Sequence, residues 1–281
     1  MQIIEQIADM RAWSEGERCQ ERRIVFVPTM GSLHEGHLSL VRDAKTRGER
    51  VVVSIFVNPM QFSPSEDFAK YPRDLQRDRA LLENLGIDVL FQPTVAEIYP
   101  GGYQTHIEVE NLSLPLCGAT RPGHFRGVAT VVAKLFNIVR PHVAIFGEKD
   151  FQQLQVVRRL VRDLSMDVEI VGHPIVREAD GLAMSSRNAY LTAEERRAAV
   201  CLSRALCKAE KLVQRGETSA AALLHVVAAE LGREPLARVE YAKLCDTDSL
   251  LDIDQVQGKA VLALAVRFGR ARLIDNRIIK S

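Results

Sequence analysis

The chain has 281 residues, of which 47% are hydrophobic and 26% are charged, and its formal net charge is +1. This is the composition of an ordinary globular protein with one large domain or two modest ones. The balanced charge implies no bulk electrostatic attraction, so neither nucleic acid nor a membrane is an expected partner. The five cysteines are scattered without a CxxC pair, which favours reduced thiols in a cytoplasmic protein over a disulfide framework.

The first predicted element is a short amphipathic helix over MQIIEQIADMRAW, at the start of the sequence. Glu5 and Asp9 interrupt its apolar pattern, which argues against a signal-peptide core. No apolar run in the sequence approaches the length that spans a membrane. We therefore expect a cytoplasmic location.

The strongest pattern of the N-terminal half is IVFVPTMGSLHEGHL, residues 24–38. The apolar, β-branched run IVFV predicts a buried strand, and Pro28 should end it because proline cannot donate to a sheet ladder. A short polar turn with two glycines follows, and LSLVRDAKTRG then has the apolar spacing of a helix. The segment is predicted to be a strand, a tight turn and a helix.

The turn of this segment favours a phosphate ligand. In an open parallel sheet it would lie at the ligand crevice, where a helix N-terminus offers unpaired N–H groups and a positive dipole end. His34 and His37 are three residues apart, so they would share one helix face and add two donors. The same spacing could be half of a metal site or two surface histidines. Because no second cluster of ligands is visible, a metal is the least favoured of the three.

Two further strands are predicted before residue 100. Arg50–Val57 is a buried apolar run that passes directly into NPMQF, so Gln61 would follow the carboxyl end of a strand, where ligands lie in open sheets. Taken alone, a solvated loop amide is the more ordinary interpretation of Gln61. Ser63–Pro72 predicts a loop or flap, Arg73–Leu85 a helix, and Val89–Pro93 a short strand.

The middle of the chain predicts an edge strand and a basic loop. Thr105–Val109 alternates apolar and polar residues, as an edge strand does. Pro115–Gly127 contains CGATRPGHFRG, an irregular segment with Arg121 among its basic residues. Such a loop is as consistent with a functional role as with an ordinary basic surface. Val128–Val139 then predicts a strongly apolar helix.

A second strand, turn and helix are predicted at VAIFG, residues 143–147, and the EKDFQQLQVVRRLVRDL that follows. Lys149 would lie near the helix start, where a cation fits the macrodipole poorly, and this misfit suggests an anionic ligand. Val168–Glu178 predicts another strand. In MSSR, residues 184–187, two hydroxyls and a guanidinium follow one another, which suits phosphate oxygens but is also common in polar loops.

The pattern changes after residue 190. Thr192 and Glu195 have the spacing of a capping box that opens one long helix, and Ala220–Leu231 predicts a second helix. Three strands are predicted afterwards: Arg238–Asp246, Lys259–Gly269 and Ala271–Asn276. The predicted fold class is α/β, with a Rossmann-like parallel sheet in residues 1–175 and a smaller α+β domain in residues 176–281.

Five segments, taken in order, carry a resemblance that no single one of them would support: PTMGSLHEGHL, FVNPMQF, RPGHFRGV, FGEKDFQQL and READGLAMSSRN. Together they resemble the pantothenate synthetase (pantoate–β-alanine ligase) family. That family belongs to the nucleotidylyltransferase group, which includes class I aminoacyl-tRNA synthetases. HEGH at 34–37 and MSSR at 184–187 are similar to the two adenylation signatures of this group.

The resemblance implies a two-step ligation that uses ATP as a substrate. Pantoate carboxylate would attack the α-phosphorus of ATP to give pantoyl adenylate and pyrophosphate, and the β-alanine amine would then displace AMP to give pantothenate. It also implies a homodimer. Because the C-terminal domain carries little obvious chemistry beyond MSSR, we expect it to move as a lid over ATP. The nucleophiles are substrate groups, so the protein needs donors that stabilise negative charge on the phosphates.

The resemblance also assigns roles to individual residues. His37 would be the proton donor, with His34 and Lys149 as further catalytic residues. Pantoate would be bound by Gln61 and Gln153, with Gln61 also near β-alanine, and Arg121 would belong to the substrate pocket. The implied ATP-binding residues are Met30, Gly31, Ser32, Leu33, His34, Glu35, Gly36, His37, Gly147, Glu148, Lys149, Asp150, Val176, Met184, Ser185, Ser186 and Arg187.

The chain departs from the family pattern at a few positions. Ser32 replaces the usual alanine, and Met60 replaces the usual leucine. The helix after Tyr71–Pro72 often carries two adjacent acidic residues directed at magnesium, whereas here the pair is Arg77–Asp78. Mg2+ is still expected, held by the ATP phosphates, but no protein ligand for it is predicted.

Two other functions fit parts of this pattern. A nucleotidylyltransferase of the same fold would move AMP or CMP onto a phosphorylated acceptor, but such an acceptor would require more Arg and Lys than the neutral amides Gln61 and Gln153. An RNA-binding module derived from a synthetase would require a basic face. Helix Ala193–Arg215 mixes its basic residues with Glu, which favours a solvated face.

Overall fold

The computed structural model describes residues 1–63 and 68–281, and the chain divides into two compact units. Each unit is assembled from more than one stretch of sequence. The first unit consists of Met1–Ser113, Arg121–Glu148 and Gln153–Pro174, and the second of Leu114–Thr120, Lys149–Gln152 and Ile175–Ser281. Among the described residues, no helix combines the length and the apolar character needed to cross a bilayer.

The strands in chain order are β1 (Gln2–Ile4), β2 (Ile24–Thr29), β3 (Arg50–Ile55), β4 (Val89–Phe91), β5 (Val143–Gly147), β6 (Glu169–His173), β7 (Arg238–Asp246), β8 (Lys259–Phe268) and β9 (Ala271–Lys280). The helices are α1 (Ile7–Cys19), α2 (Glu35–Ala44), α3 (Leu75–Leu85), α4 (Val95–Ile98), α5 (Cys117–Thr120), α6 (His124–Val139), α7 (Phe151–Asp163), α8 (Ala193–Ala198), α9 (Cys201–Val213) and α10 (Ala220–Leu231).

The first unit is built on a six-stranded sheet in the order β1-β4-β3-β2-β5-β6, and all of its strand pairs are parallel. This confirms the predicted Rossmann-like parallel sheet. β2 lies inside the sheet between β3 and β5, and its residues Ile24–Val27 are fully buried. The strand order runs from β2 through β3 and β4 on one side, and from β5 to β6 on the other. The topological switch point therefore lies between β2 and β5, and in open α/β sheets ligands bind outside the carboxyl ends of the strands at such a point.

Pro28 does not end β2, contrary to the prediction. It pairs with Ser54 on β3, and the strand continues to Thr29. Backbone groups alternate between the two sides of a strand, and the Thr29 carbonyl accepts from Phe56 N on the β3 side. Pro28 therefore faces the β5 side, where the described pairing with β2 stops at Phe26 and Ala144. The missing N–H falls where no ladder bond is made.

Three other predictions for the first unit were wrong. The N-terminal segment contains the edge strand β1 before its helix, and β1 pairs with β4. Thr105–Val109 is not a strand, because Ile107 N donates to the hydroxyl of Thr130 on α6. α6 begins at His124 and not at Val128, so the end of the predicted basic loop is helical. The predicted loop at 63–72 includes residues 64–67, which lie outside the described residues, and Phe68–Lys70 forms one 3-10 turn.

The second unit contains a three-stranded antiparallel sheet in the order β7-β8-β9. Its core lies between the sheet and α9 and α10, where Leu206, Leu223 and Leu262 are fully buried. α10 and β7 have the predicted bounds, and the capping box of Thr192 and Glu195 is confirmed. This is the predicted α+β architecture.

The one long helix predicted after Thr192 is two helices, α8 and α9. Between them, Val200 N donates to Arg197 O and Leu202 N donates to Ala199 O, which are bonds across three residues and not four. The chain tightens there into bonds of the 3-10 type, which separates the two α-helices. No glycine or proline marks the break, so the sequence pattern gave no signal for it.

Candidate active site

The turn between β2 and α2 takes an unusual backbone conformation. Gly31 has φ +78° and Ser32 has φ +52°, so two successive residues are left-handed. Ser32 accepts this conformation without being glycine, which costs conformational energy. The carboxyl end of β2, at Thr29, is thereby connected to the N-terminus of α2, at Glu35, by a short turn.

His34 and His37 cap α2. His34 is the N-cap with an extended backbone, and its Nδ1 accepts from Gly36 N at 3.2 Å. His37 Nδ1 accepts from His34 N at 3.4 Å. The two ring centroids are 4.1 Å apart. The histidines are neighbours as predicted, but His34 precedes the helix and does not lie on its face.

The caps determine which ring nitrogen carries the proton. A neutral imidazole whose Nδ1 accepts a backbone N–H must hold its own proton on Nε2. Both rings are therefore assigned the Nε2–H tautomer from their hydrogen bonds. An imidazole in this state offers a donor on the side of the ring away from the helix.

Asp78 holds the left-handed turn from α3. Its carboxylate is fully buried, and its two oxygens accept from Ser32 N at 2.7 Å and Leu33 N at 2.8 Å. Burial raises the pKa of Asp78, while the two backbone N–H bonds act in the opposite direction. The neighbouring Arg77 donates from Nη1 to Leu33 O at 3.2 Å. Sequence reasoning considered these two residues only in relation to magnesium.

Gln61 is buried and is not the solvated loop amide that its sequence context favoured. The turn Pro59–Gln61 follows β3, with Asn58 as its N-cap. Asn58 Nδ2 donates to Gln61 Oε1 at 3.1 Å, and Gln61 Nε2 lies 3.0 Å from Met30 Sδ. Tyr99 donates its hydroxyl to Asn58 Oδ1 at 2.8 Å. Met30 and Gln61 are thus brought into contact.

Arg121 and the first turn of α6 hold the backbone of the same Pro59–Gln61 turn. His124 Nδ1 lies 2.9 Å from Gln61 O, and Arg121 Nη1 lies 3.0 Å from His124 Nε2. Gly127 approaches even more closely, since a Cβ atom there would lie 2.3 Å from Met60 O. The sequence pattern predicted no role for Asn58 or Gly127, because their roles depend on contacts between distant segments.

The residues around the second predicted turn occupy the start of α7. Gly147 ends β5, and Glu148–Asp150 forms a 3-10 turn that leads into the helix. Lys149 Nζ lies 3.8 Å from Asp150 Oδ2. Gln153 is half-buried on the first turn of α7.

In the second unit, the segment of Val176 to Arg187 forms a hairpin. Arg177 pairs with Ala183 in an antiparallel bridge, and Met184 N donates to Val176 O at 3.0 Å. The Ser185 hydroxyl accepts from Arg187 N at 3.3 Å and caps the turn Ser186–Tyr190. The hydroxyl of Ser185, one of the two predicted to bind phosphate, thus also forms a hydrogen bond within the protein.

β9 holds two of the predicted ATP-binding segments of this unit. Asp275 is buried and accepts from both terminal nitrogens of Arg177, at 2.7 and 2.9 Å. Arg177 Nη1 also donates to Gly181 O at 3.0 Å. The next residue, Asn276, donates from Nδ2 to Lys149 O at 2.9 Å. Successive strand residues point to opposite faces, so β9 contacts the hairpin on one face and the Lys149 turn on the other.

The sheet, its switch point and the histidine-capped helix that follows β2 define a doubly wound α/β protein with a ligand crevice at the strand ends. The chain matches the family described as Pantoate-beta-alanine ligase over residues 2–278. It therefore belongs to this family.

The similar proteins cover the whole chain. A pantothenate synthetase of Heliobacterium modesticaldum is 55% identical over 280 residues, which is 100% of both chains. A pantothenate synthetase structure from Thermus thermophilus has a TM-score of 0.95 at 49% identity and covers 99% of each chain. A pantoate-beta-alanine ligase from Francisella tularensis, complexed with beta-gamma ATP and beta-alanine, has a TM-score of 0.81 at 34% identity, over 99% of this chain and 97% of that one.

Proposed function

We propose that this protein joins pantoate and β-alanine to form pantothenate, with ATP converted to AMP and pyrophosphate. The observation that carries the proposal is the histidine-capped turn after β2, in a chain that belongs to the ligase family from end to end. The Francisella relative, in complex with an ATP compound and β-alanine, supports ATP and β-alanine as substrates.

In the first step, a pantoate carboxylate oxygen attacks the α-phosphorus of ATP, and the bond to the pyrophosphate oxygen breaks. Negative charge grows on the phosphate oxygens, so positioned donors lower the barrier. The Nε2–H groups of His34 and His37 supply such donors, with His37 as the proton donor to the leaving group. Lys149 contributes a positive charge to the same phosphates.

In the second step, the β-alanine amine attacks the acyl carbon of pantoyl adenylate, loses a proton and displaces AMP. We propose that Gln61 and Gln153 bind the hydroxyl and carboxylate groups of pantoate, that Gln61 also approaches β-alanine, and that Arg121 borders this pocket. The bond of Asn58 to Gln61 fixes the amide orientation that this recognition needs.

The proposed ATP-binding set extends beyond the catalytic residues. We propose that residues 1–175 form the nucleotide- and pantoate-binding domain and that residues 176–281 form the lid. The members of the set are Met30, Gly31, Ser32, Leu33, His34, Glu35, Gly36, His37, Gly147, Glu148, Lys149, Asp150, Val176, Met184, Ser185, Ser186 and Arg187.

Mg2+ is proposed to bind through the ATP phosphates. Among residues 1–63 and 68–281, no three His, Cys, Asp or Glu side chains lie close enough to hold a metal ion. When bound, Mg2+ would neutralise phosphate charge. We also propose a homodimer in the cytoplasm, and the cytoplasmic location is supported by all five cysteines being free thiols.

The test is a coupled assay of purified protein with ATP and Mg2+. We expect AMP and pyrophosphate only when pantoate is present, and pantothenate only when β-alanine is added as well. Exchange of labelled pyrophosphate into ATP should require pantoate alone, because the adenylate forms before the amine reacts. ATP consumption at the same rate without pantoate would contradict the proposal, and so would transfer of AMP to a phosphorylated acceptor.

A further inference from the structure

The carboxylate of Asp78 fills a concavity of backbone N–H groups in the turn between β2 and α2. The left-handed residues Gly31 and Ser32 direct the N–H groups of Ser32 and Leu33 to one side, which is the geometry of an anion-binding nest. The carboxylate of Asp78 fills it, with one oxygen on each N–H group, at 2.7 and 2.8 Å. These two N–H groups are therefore satisfied within the protein and are not available to a phosphate.

The fit between the carboxylate and the turn is tight. A Cβ atom added at Gly31 would lie 3.1 Å from Asp78 Oδ2 and 3.0 Å from Ile55 Cγ2. Arg77, the preceding residue of α3, donates to Leu33 O, so both backbone polar groups of Leu33 are held by one helix turn. Asp78 does not serve as the cap of α3, because Asp74 accepts from Arg77 N in that role.

The same observations argue against Asp78 as a magnesium ligand. Its side chain has no exposed surface, and each of its oxygens accepts a short backbone hydrogen bond. Mg2+ requires near-octahedral coordination and retains several waters, which a fully enclosed carboxylate cannot accommodate.

We propose that Asp78 is a positioning residue that fixes the turn before α2 and thereby aims the imidazoles of His34 and His37. His34 follows Leu33 directly, and its N–H donates to the ring of His37, so a rotation of the Leu33 peptide would be passed to both rings. The inference rests on the proposed function for its catalytic consequence, but the conformational effect on the turn stands without it.

The test compares Asp78→Asn with Asp74→Asn, the same chemical change four residues earlier on the same helix. Asp78→Asn keeps the side-chain shape but replaces one acceptor oxygen by an NH2 group, so one N–H group of the turn loses its partner. Asp74→Asn keeps a good N-cap, since Asn and Asp are equivalent there. The first readout is amide hydrogen exchange, which needs no substrate. We expect the amides of Ser32 and Leu33 to exchange at least about tenfold faster in Asp78→Asn only, because a lost hydrogen bond of about 1.4 kcal/mol corresponds to that factor.

The second readout is pantoate-dependent pyrophosphate exchange. We expect Asp78→Asn to lower kcat about tenfold to a hundredfold, as small misplacements of catalytic groups do. The KM for β-alanine, measured separately in the coupled assay of the full ligation, should change little, and Asp74→Asn should resemble the wild type in both assays. Because Asp78→Asn could unfold the protein, Arg77→Met is the second variant. It removes the donor to Leu33 O from an exposed side chain and should give smaller changes in the same direction.

The outcomes separate the alternatives. Unchanged amide exchange at Ser32 and Leu33 in both Asp78→Asn and Arg77→Met would overturn the inference. Recovery of Asp78→Asn activity by excess Mg2+ would also overturn it, since that result identifies a metal ligand. Faster exchange in Asp78→Asn, together with a wild-type protein that lacks ligase activity, would instead contradict the proposed function and leave the positioning role of Asp78 supported.

Discussion

Each unit of this protein uses a buried aspartate to hold a segment with a proposed role in ATP binding, but the partners of the two carboxylates differ. In the first unit, Asp78 accepts two backbone N–H groups of a left-handed turn. In the second unit, Asp275 accepts two bonds from the guanidinium of Arg177. The first arrangement sets a local backbone conformation, whereas the second joins a strand to a hairpin that lies far away in the sequence.

Because the partners of Asp78 and Asp275 differ, their substitutions should have different effects. Removing one member of a buried ion pair leaves an uncompensated charge, which lowers the stability of the whole unit. Removing a carboxylate from a nest leaves unpaired N–H groups in a turn, which changes a local conformation more than the global fold. Substitution of Asp275 should therefore mainly lower the free energy of unfolding. Substitution of Asp78 should mainly lower the enzymatic activity.

The largest effect is expected for Asp275→Ala. It would leave the Arg177 guanidinium partly buried without its carboxylate, and such losses cost about 3–5 kcal/mol. Chemical denaturation measures the free energy of unfolding. The matched control is Asp163→Ala, whose partner is Arg159 in an exposed pair, and it should cost less than about 1 kcal/mol. If both variants lost the same free energy of unfolding, burial of the ion pair between Asp275 and Arg177 would add nothing to stability.

The next largest effect is expected for His37→Ala, and it should be a loss of enzymatic activity. Loss of one positioned donor should reduce pantoate-dependent pyrophosphate exchange by about a hundredfold or more. Because His37 also accepts from His34 N, the variant should lose about 1 kcal/mol of stability as well. His225→Ala, at an exposed position of α10, serves as control. Near-normal exchange in His37→Ala would remove this residue from the mechanism.

A smaller effect is expected for Asn276→Ala, which removes the donor to Lys149 O while Asp275 and Arg177 stay paired. A lost hydrogen bond of about 1 kcal/mol corresponds to a rise of about fivefold in the KM for ATP, with a smaller change for β-alanine. Asn137→Ala is the control. The hydrogen bond described for its amide is from Nδ2 to Ala133 O, and both residues lie in α6. A rise in KM for both substrates to the same extent would contradict a specific effect on the Lys149 turn.

The smallest effect concerns pH. Burial raises the pKa of Asp78 above its unfolded value. A carboxyl of this kind stabilises the fold most below its unfolded pKa of about 3.9, and the contribution is lost as the pH rises through the folded pKa. Asp78→Asn removes this titration. The stability of the wild type should therefore fall relative to Asp78→Asn as the pH increases from about 4 to neutrality. A constant difference across a denaturation series would show that the folded and unfolded pKa values are equal.

Much of the fold could be predicted from single segments. The buried runs at β2, β3 and β5 are continuous and β-branched, and α10 and β7 had clear ends. The sequence could not predict β1, which is three residues long and depends on pairing with β4. The break between α8 and α9 could not be predicted either. It arises from local hydrogen bonds, and no glycine or proline lies there.

The site divides in the same way. His34, His37 and Gln61 could be located because each follows a predicted strand end or its turn. The residues that hold them could not, because Asp78 contacts a turn 46 positions earlier and Asp275 a hairpin 98 positions earlier. A single sequence shows which residue types are present, but it does not show which distant residues lie close together in the fold.

Gly127 has a consequence for any attempt to redesign the acid that this protein accepts. The first turn of α6 runs so close to the Met60 carbonyl that even a methyl group would displace the turn carrying Gln61. In a saturation library, position 127 should tolerate no replacement, although it is not expected to meet a ligand. Room for a bulkier substrate would therefore have to come from substitutions that leave position 127 as glycine.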